Sequence, residues 1–207
     1  MSVNIKYKNN SIAELADTGT KTLKTAGKYC EADIVVENTK DGGTDAEDGI
    51  VARTITTYTN NRVQSIGERA FNGCSKLTSV NFQAATTIGD HAFYSCRALT
   101  SVDFPAATTI GDYAFANCSE LTSVDFPAAT TIRDGVFIRC SKLTSVVLRK
   151  TDTICTLSST SAFNNTPIKS GTGYIYVPDA LVDQYKAATN WSTYAANIKP
   201  LSEYTEV

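Results

Sequence analysis

The chain has 207 residues, 42% of them hydrophobic and 19% charged, and a formal net charge of −2. These values exclude an intrinsically disordered protein, because enough apolar surface is available for burial. The sequence pI near 5.4, with no basic run longer than the pair Arg149-Lys150, argues against nucleic acid as a partner, since phosphate binding requires an excess of Lys and Arg.

The first thirty residues contain no apolar run of the roughly 7 to 15 residues that a signal peptide needs. Nowhere do about 18 apolar residues follow one another, so we expect no membrane insertion. A chain that acts outside the cell would then leave by another route, as part of a particle, or after removal of a leader. We expect an extracellular, cell-surface or phage-like-particle location.

Two runs near the start alternate apolar and polar residues, Val3 to Tyr7 and Asp33 to Glu37. Alternation with period two is typical of a half-buried strand, so we predict a small β module over residues 1–40. Residues 41–49 are acidic and rich in glycine and have nothing to bury, which predicts a linker.

Four copies of a 22-residue unit follow one another without insertion from Ile66 through Thr153. Each copy places apolar residues in the same five columns: Ile66, Ile88, Ile110, Ile132; Phe71, Phe93, Phe115, Phe137; Leu77, Leu99, Leu121, Leu143; Val80, Val102, Val124, Val146; Phe82, Phe104, Phe126, Leu148. A unit this short cannot bury its apolar side chains alone but can do so by stacking on copies of itself. We therefore predict a repeat solenoid over residues 50–178, one repeat per layer.

Within each layer the segment around Val80 alternates, with Val80 and Phe82 predicted inward and Ser79 and Asn81 outward. Such strands would stack as a parallel β-sheet about 4.8 Å apart. The segment from Gly-Asp through Ala-Phe-x-x-Cys has a polar residue before apolar ones at helical spacing, which predicts a short helix or 3₁₀ turn on the opposite wall.

The repeat weakens at both ends. Residues 55–58 match residues 77–80 in type and predict a partial first turn, whereas residues 154–178 predict a degenerate last turn that ends in a strand at Tyr174 to Val177. Residues 179–207 are predicted to form a helical cap over the last layer, with one amphipathic helix after Pro178 and a second short helix stopped by Pro200.

The pattern Ile-Gly-Asp-x-Ala-Phe-x-x-Cys-x-x-Leu-Thr-Ser-Val-x-Phe-Pro resembles the BspA-type leucine-rich repeats of many bacterial surface proteins and some protists. The resemblance covers about residues 50 to 178 and implies an arc-shaped solenoid used for attachment to host proteins, other cells or matrix. The fourth copy departs from the pattern: Arg133 replaces Gly, Gly135-Val136 replaces x-Ala, and Arg149-Lys150 replaces Pro-Ala.

The N-terminal run from Ile5 to Leu15, together with Lys28 to Val36, is similar to leader modules of prophage-encoded tail-associated proteins. That similarity implies attachment of the N-terminal module to a particle, with the solenoid facing the target.

The cysteines at 74, 96, 118 and 140 recur one per repeat, which predicts a buried ladder of small apolar residues rather than disulfides or a metal site. No CxxC pair occurs, and we expect no metal and no cofactor. Cys30 and Cys155 have no assigned role. His91 is the only histidine and shares its column with Arg69, Tyr113 and Gly135, which indicates a solvent-facing slot and argues against a catalytic dyad with Cys96.

An acidic column, formed by Glu68, Asp90, Asp112 and Asp134, could bind cations between layers, but capping of the helical turn in the same layer is the favoured interpretation. A second acidic pair, Asp103 and Asp125, would stack on the sheet face at an unfavourable spacing for like charges. Solvent and salt could screen this pair, or a cationic partner or ion could offset it. The candidate binding face comprises Ser79, Asn81, Ser101, Asp103, Ser123, Asp125 and Ser145.

No convergent acid, base and nucleophile is visible, so an enzyme is not expected. The leading hypothesis is a binding or adhesion protein whose repeat surface contacts a protein or glycan on another cell or matrix. The alternative is a structural or receptor-binding component of a phage-like tail particle.

Overall fold

A computed structural model describes residues 3–6, 12–15, 22–23, 56–59 and 63–205, the first three of these ranges as backbone strands only. Cys30, the run from Asp33 to Glu37 and the linker 41–49 lie outside the described residues.

Two parallel sheets run along the repeats. The front sheet consists of three-residue strands and a four-residue strand, in two hydrogen-bonded pieces: Thr57–Thr59, Ser79–Asn81 and Ser101–Asp103 in one piece, and Ser123–Asp125, Ser145–Val147, Tyr174–Val177 and Ile198–Pro200 in the other. The back sheet consists of six two-residue strands: Thr22–Leu23, Ser65–Ile66, Thr87–Ile88, Thr109–Ile110, Thr131–Ile132 and Thr156–Leu157. Separately, Val3–Lys6 pairs with Ile12–Leu15 in antiparallel fashion.

The register follows the 22-residue period. Val80 lies beside Val102, and Ile88 beside Ile110, so identical residues of successive repeats are neighbours. The predicted partial first turn is confirmed by the pairing of Tyr58 with Val80, and the predicted last strand by the pairing of Val146 with Ile175. The predicted solenoid with a parallel sheet is therefore confirmed.

The core consists of stacked columns. The Phe71, Phe93, Phe115 and Phe137 rings lie nearly parallel, with centroids 4.9, 5.2 and 5.9 Å apart, and Phe163 continues the row at 5.6 Å from Phe137. Each of these rings is fully buried. Because burial of one Phe contributes roughly 1.5–3 kcal/mol, such rows are a main source of cohesion between layers.

The wall that follows each back-sheet strand is built of tight turns with the hydrogen-bond spacing of a 3₁₀ helix. Ala70 N–H donates to the Gly67 carbonyl at 3.2 Å, but Arg69 N–H donates to the Asp90 carbonyl of the next layer at 2.9 Å. Alternate amides thus bond within the layer and to its neighbour. The turns do not continue into a helix because residues such as Arg69, with φ of 56°, are in the left-handed region.

The C-terminal cap covers the last layer. A one-turn α-helix, Pro167–Ser170, precedes the strand Tyr174–Val177. The cap then contains 3₁₀ helices at Asp179–Leu181, Trp191–Asn197 and Leu201–Glu203 and an α-helix at Val182–Ala187. It also contains a strand that the sequence did not predict, Ile198–Pro200, which adds to the front sheet. Leu181, Tyr185, Trp191 and Tyr194 are buried against the array.

Candidate binding face of the front sheet

The candidate residues share one face because strands alternate. In Ser79–Asn81 only Val80 is buried, and in Ser123–Asp125 only Val124. The parallel register then places Ser79 beside Ser101 and Ser123 beside Ser145 in successive layers. The structure thus brings the predicted residues into rows on the outward face of the front sheet.

The rows are interrupted once. The strands Ser101–Asp103 and Ser123–Asp125 belong to different hydrogen-bonded pieces of the front sheet, although they remain neighbours. We call this interruption the seam. Ser101, Asp103 and Ser123, which flank it, are exposed, and Val102 is only partly buried, unlike Val80 and Val124.

Asp103 is held by amide groups of the preceding layer. Asn81 Nδ2 donates to Asp103 Oδ2 at 3.0 Å, and Gln83 Nε2 donates to the same oxygen at 2.6 Å. Gln83 Nε2 also donates to Asn81 Oδ1 at 2.8 Å. Gln83 lies just beyond the strand Ser79–Asn81, and no periodic signal in the sequence marks it.

Asp125 is held by a cation from the following layer. Arg149 Nε lies 2.7 Å from Asp125 Oδ2, and both side chains are more than one third exposed. Arg149 is one of the departures of the fourth copy from the repeat pattern. The chain itself therefore supplies partners for both carboxylates of the Asp103/Asp125 pair. The sequence had suggested screening by solvent and salt, or a cationic partner or ion, and not these groups of the chain.

Aromatic residues that the prediction left out extend the face toward the C-terminus. Tyr174 lies beside Ser145, Tyr176 beside Val147, and Lys199 beside Tyr176 in the parallel register. The alternation of Tyr174–Val177, with Ile175 and Val177 buried, was a sequence signal that places both tyrosines outward. No such signal marked Lys199, because Pro200 is unusual in a strand.

The acidic column does not cap its own turns at the two central positions. Asp90 Oδ1 accepts the Asp112 N–H at 2.8 Å, and Asp112 Oδ1 accepts the Asp134 N–H at 2.9 Å, so these carboxylates bond to the next layer. The prediction of capping within one layer is wrong there, because layers stack closely enough to offer an amide from the neighbouring turn. Asp134 instead accepts hydroxyl hydrogen bonds from Ser161 and from Tyr113.

These hydroxyl hydrogen bonds shift the pKa values of Asp134 and Tyr113. The hydrogen bond from Ser161 is the main cause that lowers the pKa of Asp134, and hydrogen bonds from Ser159, Tyr113 and the Gly135 amide act in the same direction. The bond to Asp134 is in turn the main cause that raises the pKa of Tyr113.

His91 packs between the aromatic rings of Tyr94 and Tyr113. Its ring centroid is 5.2 Å from that of Tyr113, with an angle of 24° between the planes. Arg69, His91, Tyr113 and Gly135 all have φ between 55° and 58°, so their column is set by left-handed backbone. Gly135 leaves room for the Tyr113 ring, since a Cβ added there would come within 2.4 Å of it.

The cysteine ladder is buried, as predicted. Cys74, Cys96, Cys118 and Cys140 have no exposed surface, and Cys155 is buried as well. The Cys96 thiol donates to the Phe71 carbonyl at 3.1 Å and the Cys118 thiol to that of Phe93 at 3.2 Å. Burial raises the pKa of Cys140 and that of Cys155 to about 12, which suppresses the nucleophilic thiolate.

Among the described residues, no three His, Cys, Asp or Glu side chains are grouped so as to hold a metal ion. Within the same residues, no helix is both long and apolar enough to cross a membrane.

The family described as "BspA type Leucine rich repeat region" matches residues 53–172 in six copies. The chain belongs to this family. No curated protein matches the chain, and no comparison supports the resemblance of the N-terminal residues to prophage tail-associated proteins.

Two solved structures are similar to this BspA-type chain. One is a leucine-rich repeat protein from Bacteroides ovatus ATCC 8483, 24% identical over 70% of this chain and 36% of that protein, with a TM-score of 0.52. The other is a leucine rich cell surface protein from Faecalibacterium prausnitzii A2-165, 21% identical over 98% of this chain and 55% of that protein, with a TM-score of 0.49. The chain therefore spans about one third of the first protein and little more than half of the second, and the first likeness shows the fold alone.

Proposed function

We propose that this BspA-type chain is a non-enzymatic binding module that presents the outward face of its front sheet to a protein or glycan partner at a bacterial or host cell surface. Family membership supports the surface location, because repeats of this type occur in many bacterial surface proteins. One observation carries the choice of face, namely how residues vary from layer to layer inside the chain.

Columns that build the scaffold keep nearly the same residue in every layer. The phenylalanine and cysteine columns are buried, and threonine hydroxyls such as those of Thr100 and Thr108 donate to main-chain carbonyls one layer back, at 3.0 Å in both cases. These columns stay uniform because each layer must fit the next.

The outward row of the front sheet changes chemistry at most layers: it runs through Asn81, Asp103, Asp125, Val147 and Tyr176, and of these only Val147 is buried. Nothing in the stacking requires this variety. A row of dissimilar side chains on hydrogen-bonded strands suits selective recognition, since specificity needs positioned groups of different chemistry. The hydrogen bonds at Asp103 and the ion pair at Asp125 hold the carboxylates in defined positions.

The test is binding of the whole chain to mucins, matrix proteins, glycans and bacterial surfaces, compared with the variant Asp103→Lys. Asp103 is exposed, so reversal of its charge should weaken binding while the circular dichroism spectrum and melting temperature stay close to those of the parent. The matched control is Thr109→Lys, which adds a lysine to the back-sheet strand that follows Asp103 in the same repeat. Equal binding by the parent and Asp103→Lys, or equal loss in both variants, would contradict the assignment of the front sheet.

Removal of residues 1–49 is a less clean test. The strand Thr22–Leu23 pairs with Ser65–Ile66 in the back sheet, so the truncation removes a strand as well as the N-terminal hairpin. Substitutions on the two sheets keep that pairing intact.

A further inference from the structure

The seam divides the front sheet between two layers that both carry an outward aspartate, Asp103 on one side and Asp125 on the other. We infer that the negative charges of these two carboxylates hold the seam open, so that the seam is a hinge whose closure depends on charge. The hinge does not rest on the proposed function, because it exists in the chain whether or not the front sheet binds a partner.

Main-chain hydrogen bonds define where the hinge lies. In three pairs of neighbouring layers, the amide and the hydroxyl of a threonine both donate to the carbonyl of the equivalent threonine one layer back: Thr78 to Thr56 at 2.7 and 2.8 Å, Thr100 to Thr78 at 2.9 and 3.0 Å, and Thr144 to Thr122 at 2.9 and 3.3 Å. Within the part of the chain that the structure describes, Thr122 makes neither of these bonds to Thr100. Since both residues are threonine, this column is not the cause of the interruption.

The two layers that flank the hinge remain bonded to each other on the other two walls. On the wall of tight turns, the Phe93 amide donates to the Ala114 carbonyl at 2.7 Å. On the back sheet, the Thr130 amide donates to the Thr108 carbonyl at 2.8 Å. The opening is therefore confined to the front side, which is the geometry of a hinge and not of a complete break.

The phenylalanine rows show the same tilt of the layers. In the row that follows the front-sheet strands, the ring centroids of Phe104 and Phe126 are 6.4 Å apart with 22° between the ring planes, against 5.5 Å and 6° for Phe82 and Phe104. In the row on the wall of turns, the rings of Phe93 and Phe115 are 5.2 Å apart with 3° between their planes. Across the seam, the core is thus wider on its front side.

The neighbours on the outward row differ at the seam from those elsewhere. Asn81 lies beside Asp103 and donates to it at 3.0 Å, and Asp125 lies beside Val147. Pairing across the seam would place Asp103 beside Asp125 at the strand spacing of about 4.8 Å. Like charges directly opposite one another are unfavourable in a sheet. Among the front-sheet strands that the structure describes, no other pair of neighbouring layers would bring two carboxylates together.

Both carboxylates are bonded on the side away from the seam. Asp103 Oδ2 accepts hydrogen bonds from Asn81 and Gln83 of the preceding layer. Asp125 Oδ2 lies 2.7 Å from Arg149 Nε of the following layer. Each half of the front sheet therefore holds its own aspartate, and these contacts stabilise the two halves without joining them.

Closure of the hinge would change the candidate binding face. Ser101 and Asp103 lie on one half and Ser123 on the other, and all three are exposed. The state of the seam sets the distance between these groups, so a change in the charge of either aspartate would alter it.

The experiment measures hydrogen exchange of main-chain amides in the whole chain by NMR, with the Thr144 amide as the internal reference for that of Thr122. In the parent, we expect the Thr122 amide to exchange at least about tenfold faster, because the Thr144 amide donates to the Thr122 carbonyl. Asp103→Asn creates at the seam the amide–carboxylate pair that Asn81 and Asp103 form one layer earlier, and should bring the two rates within about threefold of each other. Raising NaCl from about 0.01 M to about 1 M should reduce the difference in the parent, since salt screens the repulsion.

Two control variants separate charge from other effects of substitution. Asp103→Glu keeps the charge at the seam, and Asp183→Asn removes an exposed carboxylate from the cap helix Val182–Ala187, so both should keep the parent ratio of rates. Equal rates for Thr122 and Thr144 in the parent, an unchanged ratio in Asp103→Asn, or the same fall in either control would overturn the hinge. The salt series needs no variant, so it decides the question if Asp103→Asn does not fold: a ratio that stays constant with salt rules out a seam held open by charge.

Discussion

The indole Nε1–H of Trp191 donates to the main-chain carbonyl of Cys155 at 2.7 Å, so the only tryptophan of the chain is bonded to the backbone of the last repeat. The amide of the same residue, Cys155, donates to the Tyr185 hydroxyl at 2.7 Å. Both polar groups of one buried peptide segment are thus satisfied by the cap. The cap therefore takes the place that a further repeat would have in bonding to this layer.

Tyr185→Phe should lower the free energy of unfolding by about 1–3 kcal/mol, because it leaves the buried Cys155 amide without its acceptor. Urea denaturation of the whole chain measures the change. Tyr174→Phe removes a hydroxyl from a half-buried outward ring and should change stability by less than about 0.5 kcal/mol. Equal effects of the two substitutions would contradict the role of the Tyr185 hydroxyl.

Alkaline pH should destabilise the fold through its buried thiols. Burial raises the pKa of Cys140 from an ordinary value of 9.0 to about 12. Above pH 9 the unfolded chain loses this proton while the folded chain retains it, so stability is full below pH 9 and is lost as pH rises toward 12. Cys140→Ser removes this titration and should reduce the loss between pH 7.5 and pH 10 by about 1.4 kcal/mol.

The measurement is the free energy of unfolding at both pH values in the parent and in Cys140→Ser, under reducing conditions. Cys155, whose pKa is also raised to about 12, titrates in both proteins and so cancels in the comparison. The same pH dependence in both would show that Cys140 is accessible in the folded chain.

Acid should destabilise the fold through Asp134. The pKa of Asp134 is held below its ordinary value of 3.8, mainly by the hydrogen bond from Ser161. Its contribution to stability is therefore present above that value and is lost as pH falls through the folded pKa. Ser161→Ala should raise the pKa of Asp134, which NMR titration of the carboxyl carbon measures directly. Ser158→Ala, a nearby exposed serine, is the control and should leave that titration unchanged.

Two of the ion pairs that join successive layers should differ in strength. Arg149–Asp125 is the more buried, with 35% and 39% of the side-chain surface exposed, against 54% and 45% in Lys142–Glu120. Arg149→Met should cost about 1 kcal/mol and Lys142→Met less than about 0.5 kcal/mol, because exposed pairs are screened by solvent. Thermal unfolding of the two variants gives the comparison, and a larger loss in Lys142→Met would contradict this ranking.

The scaffold could be predicted from the sequence because one short unit repeats. When a residue such as Phe93 must fit both Phe71 and Phe115, its column is uniform, and the uniform column reveals the layer. The partners of the carboxylates could not be predicted, since Arg149 reaches back 24 residues to Asp125 and Gln83 reaches forward 20 residues to Asp103. Such contacts depend on side-chain directions that no periodicity encodes.

The strand Ile198–Pro200 escaped prediction for a different reason. Its proline argues against a strand, but Pro200 is the last residue of an edge strand, where a missing N–H disturbs no ladder. The sequence predicts the outward position of Tyr174 and Tyr176, because they alternate with buried residues in one strand. It does not predict the contact of Tyr204 with Tyr176, which depends on the fold of the cap.

The seam has a mechanical consequence. Across it the back sheet is continuous, with Thr109–Ile110 paired to Thr131–Ile132, while the front sheet is divided. A stack whose layers are hydrogen-bonded in one sheet but not in the other resists stretching more than bending at that boundary. Across the seam, the two halves of the front surface are therefore joined by the back-sheet pairing and by the stacked phenylalanine rings, and not by main-chain hydrogen bonds of the front sheet.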